Sequence, residues 1–358
     1  MRHSHRSQQQ IRQWLQQVLP PTGYKRLLNF LPQMILGVVL SGSCHLNRIA
    51  CAIPHGGSIR SMVQCVRRWI MRPSFRAQQL LPLMARGFVA AQLSGRIVLS
   101  VDRTEWKYAN FLYAAISYRG RAIPVALMLL PGPKATSADE LRQLLAQAAL
   151  AIPAGADVVV AGDREYGSVP AIRVIRSFGW HFCLRFRQNT WLHDAEGTFW
   201  RAKDRYPDPG GKLLWSQLRV TGHEYGPVHV AVIWDGNNDE PWVLVSDLPA
   251  DQLGRIYRRR MCIEEMFSDL KKRGFDLEST RLRDPQRLLN LAALLSLTYI
   301  WLLLAATVIV KRGWRKQVDR ASKRALSYFQ IALRFIRYKP PERLEYLAGT
   351  ITRRCQPK

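Results

Sequence analysis

The sequence predicts an α/β chain preceded by an all-α segment, and three observations carry that expectation. From Met1 to Val101 the chain holds thirteen Arg and Lys and no Asp or Glu. From residue 96 the pattern turns from helical segments to strands. From there, strand-like and helix-like segments alternate as far as residue 186.

Taken in order, residues 1–95 read as a helical, basic domain, with YKRLLNFLPQMILGVVL and SIRSMVQCVRRWIM as its clearest segments. Ser58 is placed to cap the second, whose Arg60, Arg67 and Arg68 are candidates for facing phosphates. Basic amphipathic helices also occur as ordinary surface helices. Strands are expected at 96–102, 111–118 and 121–131, then a helix at 137–151, a strand at 156–162, a helix at 168–178 and a strand at 180–186. Three strands, helix, strand, helix, strand, completed by a further helix, is the order of a ribonuclease H-like core, here assigned to 96–186 and 250–310. Residues 187–249 exceed what that core needs. Their short alternating segments and the turn signals DPGG and DGNN predict a β-rich insertion. It holds Trp191, Trp200, Trp215, Trp234 and Trp242, most of them expected to fill its core. Residues 311–358 form a basic C-terminal helical region with fourteen basic and three acidic residues.

Candidate chemistry sits at three places. The run RIVLSVDRTEW reads as a buried strand in which Ile97, Val98, Leu99 and Val101 lead to Asp102, and ADVVVAGDREYG repeats the arrangement, with Val158, Val159 and Val160 leading to Asp163. Either Asp alone more often reads as a loop-starting residue or a helix cap. The third place is IYRRRMCIEEMFSDLKKRG, where Tyr257, Arg260, Glu264 and Lys271 fall within about 60° of arc on a helix, while Ile256, Ile263, Phe267 and Leu270 form an apolar stripe about 90° away. A carboxylate among a phenol, a guanidinium and an ammonium suits phosphate handling. The same spacing also fits a solvated helix with an Arg260 to Glu264 pair. Two strand-end Asp residues and a helical Glu make an oxygen-only ligand set, which suits Mg2+ or Mn2+ better than zinc.

The Tyr-x2-Arg-x3-Glu-x6-Lys pattern at 257–271, with Asp102 in VDRTEW and Asp163 in GDREYG, resembles the DDE transposases of bacterial insertion sequences, and more narrowly the insertion sequence four family. The resemblance covers about residues 96–310. It implies a cut-and-paste DNA transposase in which Asp102, Asp163 and Glu264 are catalytic and hold two Mg2+ ions, with Mn2+ as a substitute. Tyr257, Arg260 and Lys271 would hold DNA phosphates. Trp242 resembles the position whose indole stacks on a base flipped from the DNA end during hairpin formation, although its connection to Tyr257 is shorter here than in the best-known relatives. The implied partners are double-stranded DNA, as element ends and as target, and a second copy of the chain in a homodimer on that DNA. A bacterial cytoplasmic, nucleoid-associated location follows from the same resemblance.

Length and charge agree. At 358 residues the chain can bury a sizeable core, and a net charge of +27 favours an acidic polymer as partner. Cys44, Cys51, Cys65, Cys183, Cys262 and Cys355 form no CxxC pair, which fits a reducing compartment. Cys44, His45, Cys51 and His55 match no zinc-finger spacing, and no structural zinc is expected. MRHSHRSQQQIRQW lacks the apolar core of a secretion signal. The run at 288–310 is long enough to cross a bilayer, but Asn290, Ser296 and Thr298 along it and the lack of a second span favour a buried helix and no membrane partner. Two rival functions use subsets of these features: a metal-dependent nuclease of the same fold without strand transfer, and a non-catalytic DNA-binding regulator.

Overall fold

The apolar run from Ile97 to Val101 forms a strand buried within a ten-stranded sheet, third from one edge. A computed structural model describes residues 8–9, 11–16, 19, 29–72, 77–93, 95–106, 109–132, 134–236, 239–320 and 322–338. Before the sheet come α1 (Leu31–Ser41), α2 (Leu46–Ala52), α3 (Ile59–Ile70) and α4 (Ala77–Gln92). Pro32 sits in the first turn of α1, where the missing N–H costs nothing. The Ser58 Oγ accepts from the Ser61 N–H at 3.2 Å and caps α3, as its sequence position predicts. Cys44 and His45 tie this segment to residues 275–279, far along the chain: the Cys44 N–H donates to the Phe275 carbonyl at 2.7 Å, and His45 Nε2 lies 2.9 Å from the Ser279 hydroxyl. The 24–28 part of the first predicted helix, Cys355 and residues 339–358 lie outside the described residues.

The strands are β1 (Ile97–Trp106), β2 (Ala109–Tyr118), β3 (Arg121–Leu130), β4 (Val158–Gly162), β5 (His181–Phe186), β6 (Trp191–His193), β7 (Phe199–Arg201), β8 (Lys212–Val220), β9 (Tyr225–Ile233) and β10 (Trp242–Ser246). Their order is β3-β2-β1-β4-β5-β10-β9-β8-β6-β7. The first five, with β2 antiparallel to β1 and β4 and β5 parallel to it, are the ribonuclease H-like core. The residues read as an insertion carry β6 to β10 and extend the same sheet, because β10 pairs antiparallel with β5 through Val243 and Phe186. Alternation explains the two faces. Ile97, Leu99 and Val101 join the larger core with α5 (Ala138–Ala149) and α6 (Val169–Arg176), whereas Val98, Val159 and Ala161 join a smaller cluster with Leu253, Ile256 and Tyr257 of α7 (Ala250–Leu270).

The apolar run near 288 becomes α8 (Pro285–Lys311), a helix of spanning length whose most apolar window is 94% buried inside the protein. It packs against α4, β3, α1 and α9 (Tyr328–Tyr338). Its polar residues have partners: Asn290 Nδ2 donates to the Ile70 carbonyl at 2.8 Å, Ser296 Oγ to the Ala292 carbonyl at 2.8 Å and Thr298 Oγ1 to the Leu294 carbonyl at 2.9 Å. Asn290 thereby fastens the end of α3, the helix with the exposed arginines, to the central helix.

One buried charge ties α7 to its neighbours. Asp269 Oδ2 accepts from Arg121 Nε at 2.6 Å and from the Tyr299 hydroxyl at 3.1 Å, while Oδ1 has no partner. Burial pushes this carboxyl up to about 6, against the pull of Arg121. A folded-state value raised above the unfolded one means the group favours folding most below about pH 4, and that contribution is lost as pH rises through about 6. Between those limits the wild type should lose roughly 1–3 kcal/mol relative to Asp269→Asn. Denaturant unfolding of both proteins at pH 4, 5, 6 and 7 measures the difference, and parallel pH profiles would sink this reading.

Candidate active site

The geometry starts where β1 and β4 stop pairing. Their parallel register ends at Val101 opposite Gly162, so Asp102 and Asp163 are the next residues on adjacent strands. β1 itself does not end at Asp102, as the sequence suggested. It runs on to Trp106, because β2 continues to pair with it after β4 has stopped. Asp102 is thus held in a strand on one side and open to the crevice on the other. Asp163 begins a turn, with its Oδ1 accepting from the Glu165 N–H at 3.0 Å and its carbonyl from the Tyr166 N–H at 3.0 Å. Gly162 permits that fold-back: a Cβ there would lie 2.9 Å from the Tyr166 Cβ.

Two residues next to the carboxylates escaped the sequence reading. Arg103 Nη2 pairs with Glu165 Oε2 at 2.9 Å, and Arg164 Nη1 with Glu240 Oε1 at 2.5 Å. The signal was the Asp-Arg dipeptide present at both sites. In each case the arginine that follows the aspartate, in a strand at Arg103 and in a turn at Arg164, pairs with a glutamate of another segment.

α7 crosses the face on which Val98 and Ala161 lie, and it brings Arg260 down to the sheet. Arg260 is 5% exposed. Its Nη1 donates to Asp102 Oδ2 at 2.9 Å and its Nη2 to Glu264 Oε1 at 2.5 Å, while Nε is buried without a partner. The guanidinium therefore bridges two of the three predicted carboxylates. Burial pushes the Asp102 carboxyl up to about 6; Arg260 opposes this, and the charges of Asp163 and Glu264 reinforce it. Arg260 is held above its ordinary value, since Tyr257, Asp102 and Glu264 outweigh the burial that works against its charge.

The other predicted residues are placed as follows. Tyr257 is 1% exposed, its ring 5.0 Å from that of Trp242 and 5.3 Å from the Arg260 guanidinium carbon. Burial raises its phenol, with Arg260 and Arg185 pulling it down. Glu264 lies at the rim with its side chain 45% exposed. Lys271 caps α7: its N–H still donates to the Phe267 carbonyl at 2.9 Å, its ψ of −120° turns the chain away after it, and its Nζ lies 3.5 Å from Glu278. Burial is graded along the four residues: Tyr257 and Arg260 are buried under the helix, Glu264 edges the crevice, and Lys271 is engaged with Glu278. The apolar stripe divides, since Ile256 packs with Tyr257 while Ile263, Phe267 and Leu270 join the larger core. Arg60, Arg67 and Arg68 are exposed on α3, with Arg67 Nη2 reaching Asn47 Oδ1 at 3.4 Å.

Trp242 is 7% exposed and packs within the smaller cluster beneath α7, the Arg258 guanidinium carbon 5.9 Å from its ring centroid. Trp242→Ala should cost about 3–5 kcal/mol of stability, as large-to-small core changes do, and Trp242→Phe clearly less. Denaturant unfolding checks this, and a loss below about 1 kcal/mol for the alanine variant would show that the indole carries no packing.

Among the described residues no three His, Cys, Asp or Glu side chains converge closely enough to hold a metal ion. The donor chemistry nevertheless fits a hard divalent cation: Asp102 and Asp163 follow the last paired residues of adjacent strands, and Glu264 is one guanidinium away from Asp102, an oxygen-only set.

Residues 94–301 match the family model for the transposase DDE domain. The chain belongs to that family. The match begins just before β1 and ends within α8, so it takes in the whole sheet, α7 and all three acidic residues. No curated protein matches the chain. Among solved structures it is similar to the piggyBac transposase synaptic complex with hairpin DNA, at 11% identity and a TM-score of 0.43, covering 99% of this chain and 72% of that one. As a DDE transposase the chain is an enzyme acting on DNA, and domains of this family generally depend on a divalent metal.

Proposed function

We propose that this DDE transposase excises and reinserts a mobile DNA element by a cut-and-paste route, with Asp102, Asp163 and Glu264 as its catalytic residues. The observation that carries the reading is the emergence of Asp102 and Asp163 together at the end of the β1–β4 pair, with Arg260 linking Asp102 to Glu264. These three side chains would hold two Mg2+ ions, which supply charge stabilisation for the attacking and leaving oxygens of an in-line displacement at phosphorus. The chain's own contribution is orientation. The Arg103–Glu165 pair links the two aspartate loops, and the sheet register keeps the carboxylates adjacent.

Water cutting the strand and the freed 3′-hydroxyl joining it elsewhere are the same displacement with different nucleophiles, so one site serves both. Tyr257, Arg260 and Lys271 match the insertion sequence four signature and would contact phosphates near the cut. For Arg260 this means exchanging a carboxylate for a DNA phosphate, two acceptors that a guanidinium binds in the same way. A hairpin intermediate belongs to this reading, and Trp242 would serve it only by leaving its pocket beneath α7. The exposed Arg60, Arg67 and Arg68 on α3 would grip the element end, and two copies of the chain would pair the two ends. The setting is the bacterial cytoplasm, at the nucleoid.

The test uses the full chain, Mg2+ and a duplex bearing the repeats that flank the gene, supplied intact or pre-cut. Cleavage followed by joining of the pre-cut end to plasmid supports a transposase. Cleavage without joining supports a nuclease. Hairpins appear on denaturing gels as slowly migrating joined strands, and their absence at every time point removes that step and the role of Trp242 in it.

A further inference from the structure

Immediately after Asp163 the chain forms one wall of a second feature, an open cleft of about 580 Å³ lined by Arg164, Glu165, Arg187, Gln188, Asn189 and Lys203. The opposite wall is the connection leaving β5. It turns at Arg187, whose carbonyl accepts from the Thr190 N–H at 3.1 Å, and is braced by the returning strand through the Lys203 N–H to the Gln188 carbonyl at 2.9 Å. Backbone hydrogen bonds therefore fix Arg187 and Lys203 side by side.

The charges of the cleft are unequally used. Glu165 is spent on Arg103 and on the Thr136 N–H. Glu240, just outside, receives Arg164, Arg185 and Gln188 together. Arg187 and Lys203 are exposed and make no ion pair among the described residues. Beside Lys203 the basic surface continues: the Arg205 guanidinium carbon lies 3.9 Å from the Trp200 ring centroid, and that of Arg201 4.9 Å from the Trp191 ring centroid, so indoles hold both charges in place. A polar, cationic trough that starts one residue from a catalytic aspartate suits a run of phosphates, not an apolar ligand.

We infer that this cleft binds the phosphodiester backbone of the DNA strand beside the scissile phosphate, with Arg187 and Lys203 as its principal contacts. It rests on the transposase reading and adds to it a place where the strand's path past Asp163 is set. Contacts of this kind bring affinity and register without reading sequence, which separates them from any recognition by the N-terminal helices. The β-rich extension thereby acquires a role, since β6 and β7 stretch the sheet so that their connections form the far wall of the cleft.

The test measures binding of the full chain to a random-sequence duplex by fluorescence anisotropy over a range of KCl concentrations, and nicking of supercoiled plasmid in Mg2+. Removing both charges in Arg187→Gln/Lys203→Gln should flatten the slope of log K against log salt by about 1.8, since each lost phosphate contact is worth about 0.9. The charge-conserving Arg187→Lys/Lys203→Arg should keep the wild-type slope, which separates loss of charge from loss of structure. A wild-type slope in the glutamine variant overturns the inference. So does an equal loss of slope in the charge-conserving variant. A flattened slope in the glutamine variant alone, with the wild type binding DNA yet neither cutting nor joining the end-bearing duplex, upholds the cleft and refutes the cut-and-paste reading.

Discussion

Asp102→Asn, Asp163→Asn and Glu264→Gln are each expected to lower Mg2+-dependent DNA cleavage roughly a thousand-fold or more, because the charge stabilisation at stake is several kcal/mol. DNA binding should change little, since the contacts that set it lie elsewhere. The three variants should nevertheless differ in stability. Asp102 is mostly buried and holds Arg260, so its loss leaves a guanidinium under α7 with Glu264 alone. Asp163→Asn keeps an oxygen that can accept from the Glu165 N–H and should preserve the turn. Glu264 is nearly half exposed and should be the mildest change to folding. Plasmid nicking and thermal unfolding, run side by side, check both rankings. Near wild-type nicking by any one variant removes that residue from the site, and equal melting temperatures for all three would contradict the burial difference.

How much of this was legible in the sequence depends on the range of the interactions involved. The strand leading to Asp163 could be read because three consecutive valines followed by Ala-Gly-Asp describe a buried strand and its exit. Ser58 could be read as a cap because a cap is satisfied within three residues. By contrast, the end of the helix after Leu270 depends on a backbone change at Lys271 that the residue pattern through 271 does not announce. A helical wheel placed Tyr257, Arg260 and Glu264 on one side of the helix, where Arg260 and Glu264 pair. It could not show that the group faces the sheet, because the deciding partner of Arg260 is Asp102, 158 residues earlier. The same limit applies to residues 187–249: alternation announces strands there, but only the pairing of Val243 with Phe186 makes them a continuation of the catalytic sheet. The pairing of Arg103 with Glu165 was hidden for the same reason, since neither has a local partner.

Arg260 gives the second large effect. Replacing it with Gln removes the one buried cation from between Asp102 and Glu264, and taking away one partner of a buried ion pair typically costs about 3–5 kcal/mol. The metal-free variant should therefore unfold at clearly lower temperature than the wild type. Adding Mg2+ or Mn2+ should restore more of that loss in the variant than it adds to the wild type. In the wild type a bound cation must come to terms with a guanidinium 2.9 Å from Asp102 and 2.5 Å from Glu264, whereas in the variant it meets uncompensated carboxylates. Stabilisation by a ligand grows as RT ln(1 + [L]/Kd), so the comparison reads metal affinity directly, without any need for activity. Arg260→Lys should fall between the two, because an ammonium supplies the charge but cannot reach two carboxylates with a planar fork. Melting curves over a Mg2+ series decide the matter. An identical metal-induced shift in wild type and Arg260→Gln would mean that the guanidinium and the metal do not compete for the carboxylates, and the arginine would then be a structural clamp of α7 on β1.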